Sequence, residues 1–307
     1  MSSAPPAELY DQDDAANTCF VCGAPDFRVY RVARHFGFPV VFQRCRCGVV
    51  KQTPMPNAKF FDWFFNSELF FSAKRSQSSE IWGFYDYFRD EPLRLATSRH
   101  RYRRLRALFE GPRRALRVMK IGPSTGTMLH VLQQHGHDAV GCDVSAQFAA
   151  YAREHYGVRI DIGRFEKLGY ADGEFDVVML LNVIENVPNQ GEFLGQIRRT
   201  LRPGGKFILN FVDLRHNLVA ALQRERYFLF RPPICYAFSG AVLRRVLENA
   251  GFRVVGEYAD VRYLHLEKIF TLLRWRLAHR AARALRVQDV AFPIYAYPSR
   301  LVVAERA

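Results

Sequence analysis

Apolar and polar positions change rhythm along this chain. From Leu116 onward, short apolar runs alternate with stretches of helical spacing. Leu116–Ile121, Ala139–Asp143, Val158–Ile162, Phe175–Leu181, Lys206–Phe211 and Phe252–Glu257 read as strands. Between them, Thr127–His135, the stretch from Ser145 to Tyr156, Gly191–Leu201 and Gly240–Ala250 read as helices. Ser145 supplies a start signal, and Gly136, Gly157 and Gly251 supply stops. The run Arg202-Pro203-Gly204-Gly205 is a turn. The tail Tyr297–Ala304 reads as a last, edge strand. This alternation predicts an α/β fold with a mostly parallel, seven-stranded sheet and helices on both faces.

Upstream the pattern is less regular. Residues 1–18 are polar and are expected to be a disordered tail. Residues 19–54 form a small module of short β-like runs that holds four of the six cysteines. Residues 55–110 are expected to be a helical linker or cap, ending in an Arg-rich amphipathic helix over Leu93–Phe109. Its first part is crowded with Phe60, Phe61, Trp63, Phe64, Phe65, Phe70, Phe71 and Trp82. Those rings either pack the module against the main domain, 111–307, or line a substrate pocket. Residues 268–287 are basic and apolar at helical spacing. That pattern fits a helix covering the sheet, or one making peripheral contact with an anionic membrane.

Composition narrows the classes. An apolar share of 49% supports a globular protein. The net charge of +14 points to an anionic partner: a phosphate-bearing small molecule, nucleic acid or a membrane surface. There is no cationic start followed by an apolar stretch, and no run approaches the roughly 20 apolar residues of a spanning helix. A cytoplasmic location without a transmembrane segment is therefore expected. In a reducing compartment, clustered cysteines are metal ligands before they are disulfides.

Two motifs carry chemistry. Val118-Met119-Lys120-Ile121-Gly122-Pro123-Ser124-Thr125-Gly126-Thr127 runs from a strand through a glycine-bearing turn into a helix. Glycine lets the backbone approach a ligand, and the helix start offers unpaired N–H groups. Asp143 ends the next strand about twenty residues later, where a carboxylate can accept both ribose hydroxyls of a nucleoside. Separately, Cys19-x2-Cys22 and Cys45-x-Cys47-Gly48 form two pairs. Two turn-borne thiolate pairs suit tetrahedral Zn2+, and a closed four-ligand site serves folding rather than catalysis.

With Val140-Gly141-Cys142-Asp143-Val144-Ser145, Phe175-Asp176-Val177-Val178 through Val183-Ile184-Glu185-Asn186-Val187, and Leu201-Arg202-Pro203-Gly204-Gly205, the chain resembles the class I S-adenosylmethionine-dependent methyltransferases, particularly their small-molecule branch. Tyr236-Ala237-Phe238-Ser239 through Asn249-Ala250-Gly251-Phe252 resembles that family's late helix and strand. The resemblance implies a Rossmann-like methyltransferase fold and an N-terminal zinc-ribbon-like module. It implies Gly122, Ser124 and Gly126 against the methionine part of the cofactor and Asp143 on the ribose. Val144 and Phe165 would flank the adenine, and Asn182 and Val183 would lie beneath the sulfonium.

The chain departs from that pattern at several positions. Lys120 stands where the family usually has an acid, Ser124 where it has Gly, and Arg164 where an acid often faces the adenine amine. Lys120 and Arg164 thus join the cofactor-site candidates, and they motivate the alternative of a non-catalytic or altered-ligand protein on this fold. Glu185-Asn186 stands where many relatives have Glu-His, and Asn186 cannot take a proton. Glu185, Asn186 and His265, with His216, are the candidates for handling the acceptor. Zinc ribbons ahead of this fold look similar both to small-molecule and to ribosomal-RNA methyltransferases. The aromatics at 60–71 lack interleaved basic residues, and no Asn/Asp-Pro-Pro-aromatic run occurs. A small-molecule acceptor, such as a sugar or phosphate-bearing metabolite, is therefore preferred over RNA.

Overall fold

The computed structural model describes residues 7–11, 18–35, 38–67, 88, 90–111, 114–215, 228–272, 275–285, 287, 289–295 and 299–307. Its first part holds β1 (Tyr10–Asp11), β2 (Phe27–His35), β3 (Phe38–Cys45), β4 (Val50–Thr53), β5 (Met55–Pro56) and α1 (Ala58–Asn66). The strands β2, β3 and β4 pair antiparallel in chain order. The tail expected to be disordered is ordered in part. Residues Tyr10 and Asp11 pair with Pro56 and Met55, and Leu9 and Tyr10 are buried against the aromatic helix. Two large apolar side chains are enough to hold a short segment that is otherwise polar. Asn57 starts α1 by accepting from the Phe60 N–H at 3.3 Å, which orders Phe60, Phe61 and Phe64 into the core. Phe70, Phe71 and Trp82 lie outside the described residues.

The second part opens with α2 (Glu91–Arg104) and α3 (Arg106–Glu110), so the expected Arg-rich helix is interrupted at Leu105. Then follow β6 (Arg117–Ile121), α4 (Thr127–Gln134), β7 (Asp138–Asp143), α5 (Ala146–Tyr156), β8 (Arg159–Ile162), β9 (Phe175–Leu180), α6 (Gln190–Thr200) and β10 (Leu201–Val212). The chain ends through β11 (Tyr236–Ala237), α7 (Gly240–Asn249), β12 (Phe252–Ala259), β13 (Arg262–His265), α8 (Leu266–Leu272), α9 (Arg276–Ala284), β14 (Ala291–Ile294) and β15 (Ser299–Arg306). Seven strands form the main sheet in the order β12-β15-β10-β9-β6-β7-β8. All are parallel except β15, which runs against both of its neighbours.

That placement corrects the expectation for the tail. The last strand is internal, and β12 is the edge. The reason is visible in the side chains. Leu301, Val302, Val303 and Ala304 are all buried, which requires cover on both faces and neighbours on both sides. In β12 burial alternates residue by residue, the pattern of a half-solvated border strand.

Period-two alternation also splits the core. Met119, Ile121, Val178, Leu180, Phe207 and Leu209 face one apolar cluster with α6 and α7. Val118, Val177, Met179 and Ile208 face another with α2, α4 and α5. The helices thus cover both faces. The small module is stitched into this body, because β11 extends its sheet by pairing Tyr236 and Ala237 with Lys51 and Val50.

At the carboxyl ends of the strands the polar groups are tied together. Asp260, just past β12, is fully buried and receives Arg101 Nε at 2.8 Å and a terminal Arg101 nitrogen at 2.7 Å. Asn210 Nδ2 at 2.7 Å and Ser299 Oγ at 3.0 Å complete its oxygens. Burial pushes the Asp260 carboxyl upward, but the Arg101 guanidinium outweighs it and holds the group far below the usual carboxylate range. Removing one partner strands the other charge, so Asp260→Ala should cost about 3–5 kcal/mol. Arg101→Met with Asp260→Leu should recover most of that loss, and urea unfolding of the two variants measures both.

Candidate active site

The sheet order reverses between β6 and β9, and the turn after β6 opens at that point. The turn is strained into shape: Gly122, Ser124 and Gly126 have φ of 61°, 54° and 86°. A Cβ on Gly122 would stand 2.8 Å from Val183 Cγ2, and one on Gly126 would stand 2.8 Å from the Ala152 Cβ. Glycine is therefore required at both places, by conformation and by space. Ser124 accepts the left-handed conformation with a side chain present. Asp143, at the end of β7, steadies this geometry. Its carboxylate takes the Ser124 N–H at 3.1 Å and the Ser145 N–H at 3.0 Å. No side chain caps α4, so its first-turn N–H groups stay open beside the turn. The Ser124 and Thr125 hydroxyls are buried without a protein partner. The open N–H groups and orphaned hydroxyls suit a polar ligand at this turn, while the two glycines let Val183 and Ala152 pack close beneath it.

Lys120 lies beneath this turn. Its Nζ donates to Ile121 O at 2.6 Å and Gly122 O at 3.0 Å, so the side chain folds under the turn rather than across it. Burial lowers its pKa from 10.5 to about 7, with the nearby Arg101 charge adding to the shift and Asp143 opposing it. Asn182 follows β9 with φ of 59°. It is locked by Asn210, whose Oδ1 takes the Asn182 N–H at 2.6 Å and whose Nδ2 donates to Asn182 Oδ1 at 2.9 Å. Arg262 also donates to Asn182 Oδ1. Through Asn210 the Asp260 pair thus reaches the floor of the cleft.

The remaining sequence candidates divide. Val183 packs over Gly122, and Val144 is half-buried with its carbonyl taken by Asn66 Nδ2 of α1 at 3.1 Å. Phe165 is buried among Tyr170 and Phe193. The Arg164 guanidinium is engaged by Glu166 at 2.7 Å. Glu185 is buried and braces the chain: its Oε1 accepts from Val212 N at 2.8 Å and its carbonyl from Cys235 N at 2.7 Å. Burial pushes its carboxyl up to about 7. Asn186 keeps a buried Oδ1 without a partner. His265 is not brought to the turn. It lies in β13, with Nδ1 on Asp289 O at 2.8 Å and Nε2 facing Asp90 at 3.6 Å. His216 lies outside the described residues. Arg101, Asp260 and Asn210 were not foreseen, since nothing in an Arg-rich helix marks which arginine turns inward.

The four cysteines converge as the spacing required. Their sulfurs lie within 4.8 Å of one another, with Cys19 and Cys47 at 3.6 Å and Cys22 and Cys45 at 3.5 Å. Gly23 and Gly48, at φ of 69° and 97°, turn the two loops that carry them. Tetrahedral thiolate zinc, with bonds of about 2.3 Å, separates its sulfurs by about 3.8 Å.

The buried lysine makes a pH prediction. Folded Lys120 releases its proton near pH 7, whereas the unfolded chain keeps it up to its ordinary 10.5. Between those limits the unfolded state binds more protons, so stability should rise with pH, by up to about 1.4 kcal/mol per pH unit. Lys120→Met should flatten that rise and be most stabilising at the acid end. Urea midpoints of both proteins at about pH 6 and about pH 9 test it, and parallel curves would refute it.

Comparisons with known proteins identify the family. A family model described as "Methyltransferase domain" matches residues 87–257, more than half of the chain. The chain is 34% identical over 107 residues to the ubiquinone biosynthesis O-methyltransferase of Azorhizobium caulinodans, covering 33% of this chain and 42% of that protein. It is 28% identical over 145 residues to the protein of the same name from Sinorhizobium medicae, covering 45% and 58% respectively. The chain thus spans about half the length of these curated relatives. Among solved structures, it is similar to the magnesium protoporphyrin IX methyltransferase of Synechocystis PCC 6803 with bound SAH, at 18% identity and a TM-score of 0.49, covering 77% of this chain and 98% of that one. The match over residues 87–257 spans the glycine turn and Asp143, and the chain belongs to the methyltransferase-domain family.

Proposed function

We propose that the protein transfers a methyl group from S-adenosylmethionine to a small-molecule acceptor. The observation that carries this is the turn at the sheet's switch point, where the buried Ser124 and Thr125 hydroxyls have no protein partner and Asp143 stands at the end of the neighbouring strand. Gly122, Ser124 and Gly126 would hold the methionine part, Asp143 the ribose, Val144 and Phe165 the adenine, and Asn182 and Val183 the sulfonium end. Bound S-adenosylmethionine supplies an electrophilic methyl group whose leaving group is a neutral thioether. The chain's own part is positioning. The Asn182 turn is fixed by two bonds to Asn210, so acceptor and methyl group can be held in line at low entropic cost. Asn186 offers an acceptor atom for orientation, and Glu185 is committed to backbone bonds, so among the described residues at the turn no strong base stands ready. The name that the curated relatives share, ubiquinone biosynthesis O-methyltransferase, supports an acceptor of small-molecule size.

One observation favours a second reading, an altered ligand or a non-catalytic role. The Lys120 ammonium already engages two carbonyls of the turn, where a cationic cofactor must approach. Two unit charges about 4 Å apart at an effective dielectric of about 20 repel by roughly 4 kcal/mol. A lysine with its pKa lowered to about 7 relieves much of that conflict by giving up its proton.

We further propose that Cys19, Cys22, Cys45 and Cys47 hold one structural Zn2+. The sulfur spacing fits, and the closed ligand set leaves no position for chemistry.

Isothermal titration with S-adenosylmethionine and S-adenosylhomocysteine decides between the readings. Binding by the wild-type protein, weakened about tenfold to a hundredfold in Asp143→Asn through loss of a charged acceptor, supports the enzyme. Absence of binding in the wild type, with gain in Lys120→Asp, supports the altered-ligand reading. Metal analysis should return one zinc per chain, lost together with folding of the small module in Cys19→Ser.

A further inference from the structure

A second surface is carried by the segment that follows β12. The segment from Val261 to the start of β15 is inserted between the last two strands of the main sheet. Because β12 is parallel to β10, the insertion leaves and re-enters the body at the carboxyl ends of the strands, the same end as the cleft. Its base is fixed. The strands β13 and β14 pair, Tyr263 N donates to Thr97 Oγ1 of α2 at 3.1 Å, and Arg262 reaches Asn182. Its outer part, from Trp275 through α9 to β14 and Tyr295, presents large apolar side chains to water. Leu277 is 81% exposed, Leu285 73%, Tyr295 64% and Trp275 58%, and Val290 and Phe292 are exposed as well. A concentration of large apolar side chains in water on one short insertion marks a contact surface.

The chemistry of the segment selects the partner. Between residues 266 and 295 stand Lys268, Arg274, Arg276, Arg280, Arg283 and Arg286 against only Glu267 and Asp289. A second copy, itself at +14 net charge, would meet this face with like charge. Nucleic acid would pair with the arginines and stack on the exposed rings, but it would leave Leu277, Leu285 and Val290 in water. An anionic lipid surface uses both: headgroups pair with arginine, while leucine, tryptophan and phenylalanine enter the acyl boundary.

We propose that the insertion spanning α8, α9 and β14 docks the protein onto an anionic membrane surface. It does so as a peripheral contact, since among the described residues no helix is long and apolar enough to cross a membrane. The assignment rests on exposure and charge, and is independent of what the cleft binds. Because the insertion and the cleft share one end of the sheet, docking would bring the cleft to the lipid boundary.

The test is flotation of the full chain with phosphatidylcholine vesicles, with and without phosphatidylglycerol. Binding to the anionic vesicles at low salt, with little to the neutral ones, is expected. Leu277→Asp with Leu285→Asp should weaken partition by about tenfold or more, since each leucine loses its apolar burial. Both side chains are exposed, so the urea midpoint should not move. The proposal is overturned if anionic vesicles bind no protein, if the double variant binds them as well as the wild type, or if neutral and anionic vesicles bind alike. It is also overturned if sedimentation velocity shows a dimer that the double variant abolishes, which would assign the face to a second copy.

Discussion

A carboxylate with no access to water organises this molecule. Asp260 is held ionised chiefly by Arg101, which lies across it in a two-pronged bond, with Arg262 at 3.7 Å and Asn210 and Ser299 bonded to its oxygens. The three bonded partners, Arg101, Asn210 and Ser299, come from three elements, α2, β10 and the start of β15, while Asp260 itself follows β12. A buried charge tolerates little misalignment, because any lost hydrogen bond exposes the full desolvation penalty. The pair therefore specifies how the first helix of the main domain meets the last strands. Through Asn210 the same network continues into Asn182, so the cleft floor inherits its rigidity. Placing a site on such a frame supplies positional accuracy that a loop alone lacks.

The sequence made the periodic parts legible. Strands β6, β7, β9 and β12 and the helices between them announce themselves by apolar runs, caps and glycine stops, and their bounds agree with the structure to within a residue or two. Ser145 and Ser239 cap the helices that follow them, accepting from Phe148 N at 3.4 Å and Val242 N at 3.5 Å. The glycine turn and Asp143 were legible for the same reason: local conformation demanded those residues. What depends on distant pairing was not. The last strand looks like an edge because it comes last, yet its four consecutive buried residues already require two neighbours. Arg101 is one of several arginines on its helix, and only the fold reveals which one faces Asp260. The ordering of Leu9 and Tyr10 likewise depends on α1 folding back beside them.

Lys120 shows how a departure from a family pattern can be absorbed. An acid in that place would be solvated by the turn or by a ligand. A lysine cannot accept hydrogen bonds, so it turns its ammonium to the carbonyls of Ile121 and Gly122, the nearest acceptors. Two bonds do not replace full hydration, and burial next to Arg101 shifts the group toward its neutral form. The result is a cleft floor whose charge depends on pH near neutrality. That property follows from burial and one neighbouring guanidinium, and needs no contribution from a bound molecule.

The cysteine module is tied to the cleft by backbone rather than by side-chain contact alone. Gln52 of β4 donates its N–H to Cys235 O at 2.8 Å, and Cys235 in turn donates its own N–H to Glu185 O at 2.7 Å. Glu185 then closes the path by accepting Val212 N at the end of β10. Four segments distant in sequence thereby share one ladder, and its third member, Glu185, is the neighbour of Asn186. A module joined only by a flexible linker would fold and unfold without consequence for the cleft. Here β11 belongs to both bodies, so losing the module's sheet would free the Cys235 segment and leave the Glu185 carbonyl and the Gln52 N–H without their partners. Buried backbone groups left in that state are costly enough that the two bodies should order together. The four thiolates can thus shape a cleft whose residues they never touch.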